Sequence, residues 1–332
     1  MTAPIPTQPA RRALGRSGLA TAPLVLGGNV FGWTCDERAS FSVLDAFVDG
    51  GFNTIDTADV YSRWAPGHAG GESETVIGKW LKAPGNAHKR DQVVIATKCG
   101  FLFGEGGTAK GGLTAAKIRR AVDDSLRRLQ IDVIDLYQAH GDDIDTPLEE
   151  TLSTFAALQA EGKVRAFGAS QITPERLTES LAVSARLGLP GFTTLQPFFN
   201  LLERARFEPA LRDVCVANNL GVINYFGLAR GFLTGKYRSA ADLSKSVRGG
   251  GVGDYMNERG FAALAVLDEV GARLRATPAQ VALAWQMAQP GITAPIASAV
   301  SVTQLQELMG AATLVLDAPA MAALDRVSQP AA

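Results

Sequence analysis

Cysteine is scarce: the 332 residues hold three, Cys35, Cys99 and Cys215. An odd number without metal-ligand or redox spacing excludes a disulfide framework and fits a reducing, cytoplasmic compartment. Histidine is as rare, with three. One His and one Asp without further ligands are too few to hold a metal, so none is expected. No apolar run approaches the roughly 20 residues of a bilayer-spanning helix. The opening MTAPIPTQPARRALGRSG carries charge but no apolar stretch before a cleavage site, so no secretory leader is expected. Neither sign of charge dominates, with 32 Lys and Arg against 33 Asp and Glu and a net charge of −1. That balance argues against a polyanion-binding face, and neither nucleic acid nor membrane is expected as a partner. The short basic runs Lys117–Arg120 and Arg127-Arg128 read as the solvated face of a helix. A G-x-G-x-x-G after the first strand is missing too, since the glycine-rich runs Gly104–Gly112 and Gly249–Gly253 fall in long loops.

What is present is a regular alternation of strand and helix patterns. Residues 1–10 are expected to be disordered. A short hairpin turning at Ser17-Gly18 leads into a strand near Pro23–Leu26. Asp36 can cap a helix to about Asp49, with Phe41, Leu44, Phe47 and Val48 on one face. Further strands are expected at Asn53–Asp56, Val93–Lys98, Val133–Ala139, Val164–Ser170, Thr193–Gln196, Gly221–Tyr225 and Ile292–Ser298. Helical patterns lie between them, and the last runs from Ser301 to Ala311. Eight strands, each followed by a helix, predict an α/β fold, a closed (β/α)8 barrel in one domain spanning 1–332. A doubly wound open sheet is the competing architecture.

Three successive strand candidates deliver a titratable group at the C-terminal end: Asp56, Lys98 and His140. Tyr61 follows the first of them in the run DTADVY. The C-terminal rim of a parallel barrel is where loops build active sites. A carboxylate, a phenol, an ammonium and an imidazole at one rim suit general acid catalysis on a carbonyl oxygen. Lys98 can tune the Tyr61 phenol, Asp56 can fix Lys98, and His140 can hydrogen-bond the oxygen that receives the proton. The protein has no hydride of its own, so a nicotinamide cofactor is implied.

The block Gly51-x4-Asp56-Thr-Ala-x2-Tyr61, followed by Lys98 and His140, resembles the aldo-keto reductase superfamily. The resemblance runs through LGRSGL (14–19), GGESETVIGKWL (70–81), GAS (168–170), QPFFNLLER (196–204) and YFGLARGFLTGKY (225–237). It implies a (β/α)8 barrel that reduces an aldehyde or ketone to an alcohol with NADPH, Tyr61 being the proton donor and Asp56, Lys98 and His140 its assistants. It also implies that Ser170, Gln171 and Gln196 meet the nicotinamide carboxamide region and that Tyr225 stacks on the ring. Gly227, Leu228, Arg230, Gly231 and Lys236 would follow the pyrophosphate, and Ser298, Gln304 and Glu307 the adenosine 2′-phosphate. Val300 and Leu308 stand where polar side chains are common, and no Lys or Arg falls between Ser298 and Leu308. A 2′-phosphate favours charge-assisted donors. The resemblance still makes NADP(H) the expectation, and the missing cations make NAD(H) the alternative.

Trp33, Trp64, Phe101 and Phe198 follow strand ends and can line an apolar pocket for a small carbonyl substrate. His68 and His88 read as surface loop residues, and Trp80, Trp285 and Cys215 as core. Two other functions fit the same barrel. One is a cofactor-binding regulatory subunit resembling the β subunit of potassium channels, with little turnover. The other is an aldolase-like lyase with Lys98 as Schiff-base nucleophile, which Asp56 opposes by stabilising the ammonium. A homo-oligomer is compatible with the sequence.

Overall fold

The hairpin forms around the glycine that the turn requires: β1 (Arg12–Ala13) pairs antiparallel with β2 (Ala20–Thr21), and Gly18 takes φ 76°. The computed structural model describes residues 9–101, 112–247 and 249–329. The expected disorder of 1–10 and the glycine run 104–112 thus fall largely outside the described residues. Eight parallel strands follow: β3 (Val25–Gly27), β4 (Thr54–Asp56), β5 (Val94–Cys99), β6 (Ile134–Ala139), β7 (Val164–Ser170), β8 (Thr194–Gln196), β9 (Gly221–Val222) and β10 (Ile296–Ala297). Their spatial order is β10-β3-β4-β5-β6-β7-β8-β9. The seam between the ends of that order is joined by Ala294 N donating to Val222 O at 3.1 Å and Ile296 N to Asn224 O at 2.8 Å. The sheet therefore closes, which sets aside the open doubly wound alternative.

Ten α-helices occur among the described residues: α1 (Glu37–Asp49), α2 (Glu72–Lys82), α3 (Ala115–Leu129), α4 (Leu148–Ala160), α5 (Pro174–Leu187), α6 (Ala210–Ala217), α7 (Glu258–Leu274), α8 (Pro278–Ala288), α9 (Val302–Met309) and α10 (Ala318–Ser328). Their starts follow capping chemistry. Asp36 accepts from Ala39 N at 2.8 Å, Thr173 caps α5 ahead of Pro174, and Thr277 with Gln280 forms a reciprocal capping box on α8. The sequence pattern did not indicate α10, whose run APAMAALDRVS is dominated by alanine. The strands β9 and β10 are shorter than expected. Phe41 is only half-buried, although Leu44, Phe47 and Val48 do face the core.

Two cores share the strands. Strand side chains alternate, and one set points into the barrel, where Leu14, Val25, Ala96, Leu136, Ala166, Ile223, Ala294 and Ile296 form an aliphatic plug. The other set packs under the helices with Trp80, Phe155, Phe167 and Trp285. Along β5 the inward set runs Ala96 then Lys98, and along β6 it runs Leu136, then Gln138, with His140 one step past the strand. The barrel interior thus turns from aliphatic to polar within one period of the pleat.

The basic stretch on α3 divides. Arg120 and Arg127 have side chains 86% and 71% exposed, but Arg128 is 23% exposed and reaches Glu74, a buried residue of α2, at 2.7 Å. Arg128 therefore belongs to the α2–α3 junction and not to the solvated face. Gly78 lets that junction close: a Cβ there would lie 2.2 Å from Arg128 O. Helix propensity alone favours Gly78→Ala by about 1 kcal/mol. Because the obstructing atoms are backbone, the substitution is expected instead to destabilise the protein by about 1–3 kcal/mol. A denaturant titration should show a lower midpoint with an unchanged slope, and an unchanged or higher midpoint would show that the two helices can separate freely.

Candidate active site

β4, β5 and β6 end side by side, so Asp56, Lys98 and His140 arrive on neighbouring strands. Tyr61 is carried by the loop after β4, which is tied down at several points. Thr57 Oγ1 lies 2.8 Å from Ser73 Oγ, Ser62 Oγ donates to Phe31 O at 3.0 Å, and Gly71 N donates to Tyr61 O at 3.2 Å. Ser62 holds φ 77° without being glycine, a local strain that packing must offset.

The Lys98 amine is fully buried, 0% exposed, and its three donors are all engaged. It donates to Asp56 Oδ2 at 2.7 Å, to the Thr57 carbonyl at 2.7 Å and to the Tyr61 phenol oxygen at 2.8 Å. Burial lowers its pKa from the ordinary lysine value, and the Asp56 carboxylate opposes that. The Tyr61 hydroxyl also donates to Asp56 Oδ2, at 3.2 Å. The other Asp56 oxygen accepts from Gln196 Nε2 at 2.8 Å. The Tyr61 and His140 rings stand edge to face at 5.9 Å. Burial, and then the Lys98 ammonium, hold the His140 imidazole well below its ordinary value of 6.5, so the ring is neutral at pH 7. Its Nδ1 is buried without a hydrogen-bond partner among the described residues. The four residues picked out in the sequence are therefore brought together. The saturated, carboxylate-paired Lys98 also does not suit a Schiff-base nucleophile.

Two groups had drawn no attention in the sequence. Asp59 sits in the same DTADVY run, behind Lys98, with Oδ1 buried and unpartnered. Burial, and then the Glu74 carboxylate, push it up to about 7, against the pull of Arg128 and Lys98. Glu74 itself accepts from Thr97 Oγ1 at 2.5 Å and from Arg128. Gln138 stands beside Lys98 in the strand register, fully buried with both amide atoms unpartnered. Counting back two residues from His140 along the strand would have found it. Cys99 faces away from the barrel interior, and burial pushes its thiol up, which makes it packing rather than a reactive group.

The residues implied for a dinucleotide lie along the ends of β7, β8, β9 and β10. Ser170 Oγ donates to Gln196 O at 2.8 Å. Gln171, at φ 49°, donates to His140 O at 2.9 Å. Tyr225 is stacked on Phe198 at 5.3 Å. Phe226, Ala229, Arg230 and Gly231 all adopt positive φ, and the Ala229 and Gly231 N–H groups close tight turns on Phe226 O and Leu228 O, each at 2.8 Å. Gly227, where a Cβ would come 2.7 Å from Gln286 Oε1, Leu228 and Lys236, whose amine lies over the Tyr237 ring, complete that segment. Ser298 Oγ donates to Asn29 Oδ1 at 2.5 Å, Gln304 Oε1 accepts from Val300 N at 3.1 Å, and the Glu307 carbonyl accepts from Gln280. A stackable ring in Tyr225, the amides of Gln171 and Gln196 and the cations Arg230 and Lys236 together fit a nicotinamide dinucleotide.

The aromatic residues separate into two groups. Trp33 and Trp64 meet edge to face at 5.6 Å, Trp64 approaches Tyr61 at 5.9 Å, and Phe101 approaches His140 at 4.9 Å. Phe198 instead lies between Tyr225 and the Arg206 guanidinium, 4.8 Å from its ring, so it is not part of that cluster.

Fold and site define a (β/α)8 barrel whose strand ends gather a buried Asp–Lys pair, a half-buried tyrosine bonded to it and a neutral histidine. The Aldo/keto reductase family model matches residues 23–329, and the chain belongs to that family; it is an aldo-keto reductase family oxidoreductase. An oxidoreductase from Bacillus subtilis, YrpG, is 36% identical, covering 92% of this chain and 91% of the relative. A probable voltage-gated potassium channel subunit beta of Arabidopsis thaliana is 30% identical, covering 91% and 90%. Protein tas of Escherichia coli is also 30% identical, covering 94% and 96%. Among the described residues no single helix is long and apolar enough to cross a membrane.

Asp59 gives a pH signature. Its folded pKa is raised, so the native state binds its proton more tightly than the unfolded chain, and native stability from this group falls as pH rises from about 4 through about 7. Asp59→Asn should therefore melt at a higher temperature than the parent at pH 8, with the gap closing toward pH 4. A gap that is constant with pH would show that Asp59 is ionised throughout.

Proposed function

We propose that this protein reduces an aldehyde or ketone to the alcohol, with Tyr61 as general acid. The observation that supports this most strongly is the Lys98 amine bonded at once to Asp56 and to the Tyr61 hydroxyl. As a carbonyl carbon gains hydride its oxygen becomes strongly basic, and Tyr61 gives up its proton to that oxygen. The phenolate left behind is stabilised by the adjacent Lys98 ammonium, which Asp56 keeps charged and Gln196 keeps Asp56 oriented. A neutral His140 can donate one hydrogen bond to the reacting oxygen without adding a second positive charge beside Lys98. Trp33, Trp64 and Phe101 would enclose the apolar part of the substrate and exclude water.

A reduced nicotinamide dinucleotide, when bound, supplies the hydride. Ser170, Gln171, Gln196 and Tyr225 would hold its nicotinamide end, residues 227–236 its pyrophosphate, and Ser298, Gln304 and Glu307 its adenosine end. NADP(H) is the first choice, and the apolar Val300 and Leu308 make NAD(H) the competitor. The small carbonyl compound is the proposed partner, in the cytoplasm. The plant relative's name keeps a regulatory reading in play, in which the dinucleotide is bound but turned over slowly. Complete assembly of the proton-donating residues favours catalysis.

Titration of protein fluorescence with NADPH and NADH should give saturable binding, tighter for NADPH. With the preferred dinucleotide and a panel of aldehydes and ketones, Tyr61→Phe should lower kcat by about 10²–10⁴-fold while dinucleotide affinity stays within about twofold of the parent. Full activity in Tyr61→Phe would remove the proposed acid. Tight binding without turnover of any substrate by the parent would shift the reading to the regulatory one.

A further inference from the structure

A cavity of about 240 Å³ lies between the segment after β8, Arg230 and the first turn of α7. Three guanidiniums line it, from Arg206, Arg230 and Arg259, against two carboxylates, Glu203 and Asp254. Glu203 is already engaged, paired with Arg206 at 3.1 Å and bonded to Tyr255. Among the described residues Arg230 and Arg259 hydrogen-bond only carbonyl oxygens, those of Gly251 and Ser328, each at 3.3 Å, and Arg230 also lies over the Phe226 ring at 5.2 Å.

Each of these two arginines is held at a cost. Arg259 is the second residue of α7, at the end of the helix where the dipole disfavours a cation. Its Nε is buried with no hydrogen-bond partner, and a buried unmade donor is expensive. Arg230 adopts φ 58°, ψ 17°, a left-handed conformation unusual for a side chain of its size. An oxyanion in the cavity would pair the guanidiniums, take the orphaned N–H and complement the helix start.

We propose that this cavity is an oxyanion site for the phosphate or carboxylate of a small molecule other than the dinucleotide. Arg230 lies in the segment assigned to the pyrophosphate and borders both sites, whereas Arg206 and Arg259 belong to none of the segments assigned to the dinucleotide. The site also borders the candidate catalytic residues. Its wall, Phe198, follows Gln196 by two residues, and two residues of chain span at most about 7 Å; Gln196 in turn holds Asp56 at 2.8 Å. The oxyanion is therefore either the distal group of the carbonyl substrate, which rests on the function proposed above, or a separate effector.

The test uses the whole protein with inorganic phosphate as probe, at ionic strength matched with potassium chloride. At about ten times its dissociation constant, phosphate should raise the melting temperature by about 2 °C. Arg120→Gln, a change on an exposed helix face, should keep that shift, while Arg206→Gln and Arg259→Gln should each lose it with NADPH affinity unchanged. No shift in the parent protein, or a shift that survives both substitutions, overturns the proposal. So does phosphate competing with NADPH, which would assign the cavity to the dinucleotide. Given reductase activity, Arg259→Gln should raise KM about tenfold or more for an aldehyde bearing a carboxylate and leave an uncharged isostere unchanged if the substrate is the source. Equal KM changes with the thermal shift lost identify a separate effector. Because the thermal arm needs no turnover, it stands or falls independently of the proposed reaction.

Discussion

An ammonium group is buried at the centre of this protein, and the arrangement of the barrel mouth follows from what it takes to keep it there. A lysine amine taken out of water is costly unless its donors are filled and its charge is met. At Lys98 both conditions hold, through Asp56, the Thr57 carbonyl and the Tyr61 hydroxyl. No one of these acceptors can be removed without stranding the amine. The same charge sets its neighbours: it adds to burial in keeping His140 neutral, and it opposes the forces that push Asp59 up. Acid, counter-charge and neutral donor are thus one coupled unit rather than four residues that happen to be close.

The barrel makes that unit possible by placing apolar and polar side chains on the same inward face at successive steps. Ala96 precedes Lys98, and Leu136 precedes Gln138 and His140, so the aliphatic plug stops water from entering from below just where the charged groups begin. Outside the wall, Glu74, Thr97 and Arg128 build a second polar cluster against Asp59. Asp59 meets the Glu74 carboxylate there, and Arg128 and Lys98 offset that repulsion and the loss of solvent only in part, which is why Asp59 resists ionisation.

Alternation and punctuation made most of the fold legible. All eight barrel strands were placed to within a few residues, because glycine, proline or a polar residue stands at or within two residues of each strand end and the helices between them have apolar faces. The tetrad was legible for a similar reason, since three titratable groups at three successive strand ends are visible without coordinates. Other features were hidden for physical reasons. The helix α10 buries Ala320, Leu324 and Ser328, a face with one large apolar side chain that leaves little periodic signal. Arg128 looked like one more exposed cation because its partner, Glu74, lies 54 positions away. Asp59 could be seen in the sequence but not its burial, and Phe198 gave no sign that it would leave the other aromatics for Tyr225 and Arg206.

Backbone strain also points to where the protein has given up local comfort for placement of side chains. Eight non-glycine residues among those described have positive φ. Gln130 and Arg275 are helix C-caps, where one left-handed residue closes the helix, and Asn219 follows the end of α6. The remaining five, Ser62, Gln171, Phe226, Ala229 and Arg230, all lie just past the C-terminal ends of β4, β7 and β9. The first follows Tyr61 directly, the second bonds the residue carrying the imidazole, and the last reaches the arginine cavity. Ordinary turn formation would spread such residues over both ends of the barrel; their concentration at one end is what is expected if the loops there are shaped by what they must hold rather than by the shortest path between strands.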